Sequence, residues 1–204
     1  MVPRRLFLIL AASVAGLTLQ LPVRAEEGAA PATARSLCDA LLTAMRRGAS
    51  LDFAGRLGLL APEIRQDLDL AFMTRIVVGP SWRTLPPADR QQLVDAFSDY
   101  SVATYAQRFK SYSGERFEVD PAPALQADGD AIVHTKLFTG DPNPVQLDYL
   151  MRKGDGRWRI IDVYLNGTIS ELAARRSEYS TTLRQGGAAA LVALLRQKTA
   201  ELSR

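Results

Sequence analysis

The 204-residue chain holds one cysteine, Cys38, and one histidine, His134. A single cysteine allows no intramolecular disulfide, so stability has to come from packing. A single histidine excludes His-rich zinc sites and HExxH, and a Ser-His-Asp device could use only this one imidazole. The chain contains no Gly-rich phosphate loop of the GxxxxGK[ST] or GxGxxG kind, and no GxSxG elbow. No apolar run reaches the roughly 18 residues that a lasting membrane span needs.

The beginning of the chain shows an export pattern. Arg4 and Arg5 precede a short apolar stretch from Leu6 to Leu19, and Val23-Arg24-Ala25 supplies the small residues read by signal peptidase. A cleaved secretory leader over 1–25 is expected, with the exported protein starting near Glu26 in an oxidising compartment such as a periplasm. Three of the 25 basic residues lie in this leader and none of the 22 acidic ones does. The remaining 179 residues therefore carry 22 charges of each sign. A nucleic-acid binder is expected to keep a basic excess after processing, so that class is poorly supported.

The stretch 26–34 is small and polar with Pro31 and reads as a flexible lead-in, followed by one domain over 35–204. Leu37, Leu41, Leu42 and Met45 recur at helical steps until Gly48. Leu51 to Leu60 reads as a short helical turn and loop. Pro62 sits well at a helix start, and Ile64 to Val78 is helical up to Gly79-Pro80. Pro86-Pro87 opens the longest pattern, with Leu93, Phe97, Tyr100, Tyr105, Phe109 and Tyr112 in a stripe ended by Gly114. Strands then read at 116–120, 131–138, 145–151 and 158–165, joined by connections too short for parallel crossovers. Thr168-x-x-Glu171 matches a capping box for a helix to about Arg184, and Gly186-Gly187 separates it from a last amphipathic helix. The fold class is α+β, with a four-stranded antiparallel twisted sheet against several helices.

Candidate chemistry is sparse. Cys38 lies on an apolar helix face and reads as a core residue, and a Cys38–His134 pair is one nucleophile–base combination, since the two need only be spatial neighbours. Asp148 and Asp162 in neighbouring strands are candidates for a carboxylate pair, though both fit structural positions. The remaining signal is apolar and aromatic. Tyr105, Phe109 and Tyr112 on the long helix stand opposite Leu147, Tyr149 and Val163 of the sheet, and could line a small-molecule cavity or a filled core. Periodicity does not separate the two.

Several motifs run in a shared order: Asp69-Leu70-Ala71-Phe72-Met73, Gly79-Pro80-Ser81-Trp82-Arg83, Tyr105-Ala106-Gln107-Arg108-Phe109, Tyr112-Ser113-Gly114, Leu147-Asp148-Tyr149, Trp158-Arg159-Ile160-Ile161-Asp162-Val163, Gly167-Thr168-Ile169-Ser170 and Gly186-Gly187. Over nearly the whole exported chain this order resembles the MlaC family of periplasmic lipid-binding proteins, also known as toluene-tolerance auxiliary components. The chain departs from that pattern at Leu68, where the family has an aromatic, and at Asp89-Arg90, where it has Gln-Arg. The stretch 165–172 with Arg175-Arg176-Ser177-Glu178-Tyr179 is similar to the hopanoid-associated branch, HpnM. The resemblance implies an apolar cavity and a non-enzymatic periplasmic carrier of phospholipid or hopanoid-type lipid between inner and outer membranes. It implies no cofactor other than the bound lipid. Its partners would be an inner-membrane ABC lipid transporter and an outer-membrane lipid-transfer complex, with no nucleic acid. The lipid-contacting set it implies is Tyr105, Phe109, Val133, Leu147, Tyr149, Val163, Ile169 and Tyr179.

Overall fold

The computed structural model describes residues 29–204, so the leader expected over 1–25 lies outside the described residues. Helix α1 (Ala29–Arg46) buries Ala30, Ala34, Leu37, Cys38, Leu41 and Ala44, which repeat at three and four residues along one face. The flexible lead-in expected over 26–34 is therefore corrected from Ala29 onward. Ala30 and Ala34 are fully buried, and small side chains that look like a linker are what a close helix packing needs. A short 3₁₀ turn (Gly48–Ser50) leads to α2 (Phe53–Asp67), capped by Asp52, whose carboxylate accepts the Gly55 N–H at 2.7 Å.

Helix α2 runs through Pro62 rather than starting there. The break comes at Leu68, whose backbone is extended and bridges Ile160 of the sheet, with the Asp69 N–H donating to the Ile160 carbonyl at 2.9 Å. Asp69 then caps α3 (Leu70–Val78). A tertiary contact, absent from any local pattern, decides where the helix stops. A second 3₁₀ turn (Gly79–Thr84) precedes α4 (Pro87–Arg108), which opens with Pro87 at its first position. Phe109 ends this helix and Tyr112 lies beyond it.

The sheet is antiparallel, with β1 (Arg116–Val119), β2 (Ala124–Leu125), β3 (Ala131–Val133), β4 (Thr135–Phe138), β5 (Val145–Gly154), β6 (Arg157–Leu165) and β7 (Ile169–Ser170). The expectation of four strands is corrected to seven by short additions. β3 and β4 hold one register on β5, with Val133 opposite Tyr149 and Lys136 opposite Gln146, so they form a single line interrupted at His134. β1 and β2 follow the far side of that line, and β7 adds a short edge beyond β6. A bulge between Leu150 and Met151 sets Ile160 opposite Met151 and Asp162 opposite Leu150. The extra residue in β6 reverses its alternation, so Ile160 and Val163 both face the helices while Asp162 faces away.

The last helix, α5 (Glu171–Leu202), is capped by Ser170, not by Thr168 as the capping-box pattern predicts. Asp162 explains the difference. Its buried carboxylate accepts the Ser170 hydroxyl at 2.5 Å and the Leu172 N–H at 3.1 Å, which fixes the helix start to β6. Gly187, at φ 63° and ψ −157°, kinks α5 into two arms where the Gly pair predicts a break. The core lies between the inner face of β5–β6 and the helices. Each fully buried Leu, Ile or Val there contributes about 1.5–3 kcal/mol.

Candidate functional site

Between α4 and the inner sheet face the core is hollow, with a cavity of about 230 Å³. One wall is the α4 face Phe97, Tyr100, Ser101, Thr104, Tyr105 and Arg108, at helical steps, continued by Phe109. The opposite wall is Leu137, Val145, Leu147, Tyr149, Val163 and Leu165, the inward-facing residues of β4, β5 and β6. Leu68 and Met73 close the space on the α2–α3 side.

The two aliphatic hydroxyls on the helical wall, those of Ser101 and Thr104, do not make it polar. Ser101 Oγ donates to the Phe97 carbonyl at 2.7 Å and Thr104 Oγ1 to the Tyr100 carbonyl at 2.8 Å, so both turn back onto their own helix. Tyr105 stacks on Phe109 with ring centroids 5.9 Å apart, and Phe109 meets Phe117 at 6.3 Å. Burial holds the Tyr105 and Tyr149 phenols above their ordinary range, so both stay neutral. The Tyr149 hydroxyl lies 3.9 Å from Cys38 Sγ, and burial pushes that thiol up to about 12.

Charge gathers at one rim. Arg108 Nη1 lies 3.2 Å from Glu171 Oε1, and Arg175 Nε lies 3.7 Å from Glu171 Oε2. Arg175 Nη1 also donates to the Tyr100 hydroxyl at 2.9 Å. Beyond this triad an outer recess of about 270 Å³ is bordered by Ile169, Ala174 and Glu178, and shares Leu165, Arg108, Glu171 and Arg175 with the inner cavity. The ion pairs thus separate an apolar interior from a polar vestibule.

Of the residues predicted from sequence, Tyr105, Phe109, Leu147, Tyr149 and Val163 line the cavity together. Val133 does not: it is fully buried beside Tyr149 in solid core. Tyr179 is also fully buried outside the lining. Ile169 is 56 % exposed and borders the outer recess, and Tyr112 is exposed beside Arg46. The rim residues Arg108, Glu171 and Arg175 carry no sequence signal that distinguishes them from solvated helix charges. Val145 and Leu165 were within reach of strand alternation, since both share the face of Leu147.

The catalytic alternatives come apart. Cys38 meets Tyr149 on the inner sheet face, whereas His134 sits on the outer face with Nδ1 3.1 Å from Asp148 Oδ1. Asp162 is engaged in fastening α5. Among the described residues no group of three or more His, Cys, Asp or Glu side chains could hold a metal ion, and no helix is long and apolar enough to cross a membrane.

The structure is thus an α+β sheet-and-helix fold around an apolar cavity with a charged rim. The sequence profile of the MlaC protein family matches residues 35–197, and the chain belongs to that family. Its fold is similar to that of the phospholipid-binding protein from Ralstonia solanacearum, solved in complex with a phospholipid. The two agree with a TM-score of 0.73 at 24 % identity, over 86 % of this chain and 99 % of that one.

Proposed function

We propose that this protein is a periplasmic lipid carrier that takes acyl chains into the cavity between α4 and the β5–β6 face. The carrying observation is the hollow between Tyr105, Phe109, Leu147, Tyr149 and Val163, beside which the Ser101 and Thr104 hydroxyls bond back onto their own helix. Each CH₂ moved from water into such a space is worth about 0.8 kcal/mol, so a lipid cannot cross an aqueous gap without one. Family membership and the phospholipid bound to the Ralstonia protein support the same reading.

At about 230 Å³ the cavity is smaller than a typical ligand site. Loading therefore requires α4 and the sheet to move apart, and the outer recess supplies the direction of entry. The carrier moves phospholipid or a hopanoid-type lipid between inner and outer membranes as the soluble component of an ABC-type system, meeting an inner-membrane transporter and an outer-membrane transfer complex. Organic extraction of protein purified from a periplasmic fraction, followed by mass spectrometry, tests this. Stoichiometric lipid is expected, and protein that is consistently empty and cannot be loaded from vesicles refutes it.

A further inference from the structure

A second concavity lies at the junction of α3, the 3₁₀ turn Gly79–Thr84 and α5. It is a groove of about 700 Å³ that shares no lining residue with the cavity. Arg75, Arg83 and Arg176 line it, with Ile76 and Trp82 as an apolar wall. Among the described residues none of these three guanidinium groups pairs with a carboxylate. Neighbours nevertheless hold two of them, Arg75 and Arg176, in place. Arg75 lies over the Phe72 ring at 4.7 Å. The Arg176 guanidinium packs on Gly79 so closely that a Cβ there would come within 3.1–3.2 Å of it. Behind the turn, Arg90 lies over Trp82 at 5.7 Å and donates to the Arg83 carbonyl at 3.0 Å.

Three like charges facing one recess without a counter-charge repel one another and concentrate positive potential there. The guanidinium fork matches phosphate oxygens two at a time, and tryptophan favours the depth of lipid headgroups. Since residues 26–204 carry 22 charges of each sign, the attraction is local to this groove. We propose that the groove is an oxyanion site for a phosphate group, presented either as an anionic lipid headgroup or as free phosphate. It stands independently of what fills the cavity.

The test uses purified full-length protein with three probes. These are inorganic phosphate by calorimetry, flotation with vesicles of phosphatidylglycerol and phosphatidylcholine in equal parts against phosphatidylcholine alone, and a hexaglutamate peptide. Removing two arginines by Arg83→Gln with Arg176→Gln is expected to weaken oxyanion binding by about 30-fold, with unchanged melting and unchanged co-purified lipid. If that variant does not fold, Arg83→Gln alone, on an exposed turn, is expected to lose about fivefold. Phosphate that displaces the protein from phosphatidylglycerol vesicles supports the headgroup source. Phosphate binding without vesicle recruitment supports the free anion. Absence of both, full-strength binding by the variants, or preference for hexaglutamate over both overturns the proposal.

Discussion

Glu171 Oε1 stands 3.2 Å from Arg108 Nη1, and this contact joins the end of α4 to the start of α5 across the rim of the cavity. The second Glu171 oxygen faces Arg175, one turn further along α5. Arg108 is more than half exposed, and pairs of this kind contribute about 0–1 kcal/mol to stability. Position, rather than strength, gives the contact its consequence, because it stands between the apolar interior and the outer recess.

Glu171→Gln is accordingly expected to leave melting nearly unchanged and to speed transfer of a fluorescent phospholipid from loaded protein to acceptor vesicles. Transfer at the parental rate would show that the rim charges do not retard lipid passage.

Hollow and solid parts of the core respond differently to a charge. Val133 is fully buried in solid core, so Val133→Asp buries an unpaired carboxylate and is expected to abolish cooperative folding. Leu147 borders the cavity, where water reaching in from the rim can hydrate a charge. Leu147→Glu should therefore melt cooperatively yet carry much less lipid than the parent. Circular dichroism melts and lipid extraction on both variants decide the matter: equal unfolding of the two would mean that the cavity walls behave as ordinary core.

The pattern of the sequence reveals the walls of this cavity but not its emptiness or its rim. Tyr105 and Phe109 follow the helical stripe, and Leu147, Tyr149 and Val163 follow strand alternation, so the inward faces were legible. Val133 obeys the same alternation and ends in solid core, because periodicity reports which way a residue points and not how much space it meets. Arg108, Glu171 and Arg175 were illegible for a related reason. Their meeting depends on how α4 and α5 pack, which joins Arg108 to Glu171 across 63 positions of the chain and so lies outside any local window. Similarly, α2 stops at Leu68 because the sheet captures it, whereas Pro62, the obvious local breaker, is accommodated inside the helix.

Cys38 offers a check on interior packing. Its Sγ is 3.9 Å from the Tyr149 hydroxyl and burial raises the thiol to about 12, so almost no thiolate exists at neutral pH. Native protein is expected to resist a disulfide reagent such as dithiobis-nitrobenzoate and to react with one equivalent once denatured. Cys38→Ser should keep its lipid and lose at most a few kcal/mol of stability. Rapid labelling of the native protein would contradict the placement of this thiol in closed core.

Asp67, at the end of α2, makes stability depend on pH in an unusual direction. Its side chain is buried, its Oδ2 has no hydrogen-bond partner, and Glu63 adds a second negative charge nearby. Burial first and Glu63 second raise its pKa from 3.8 to about 6 in the folded protein. The folded state therefore binds this proton more tightly than the unfolded chain does. The resulting stabilisation is fully present below pH about 4 and is lost as pH rises through about 6. A shift of this size corresponds to at most about 3 kcal/mol. Asp67→Asn removes the buried charge and is expected to melt several degrees above the parent at pH 8. At pH 4.5 the parent's carboxyl is already mostly protonated, so the gain should be much smaller. Thermal melts of both proteins across this range give the answer: a variant less stable than the parent at pH 8 would mean that the ionised Asp67 carboxylate makes contacts outweighing its burial.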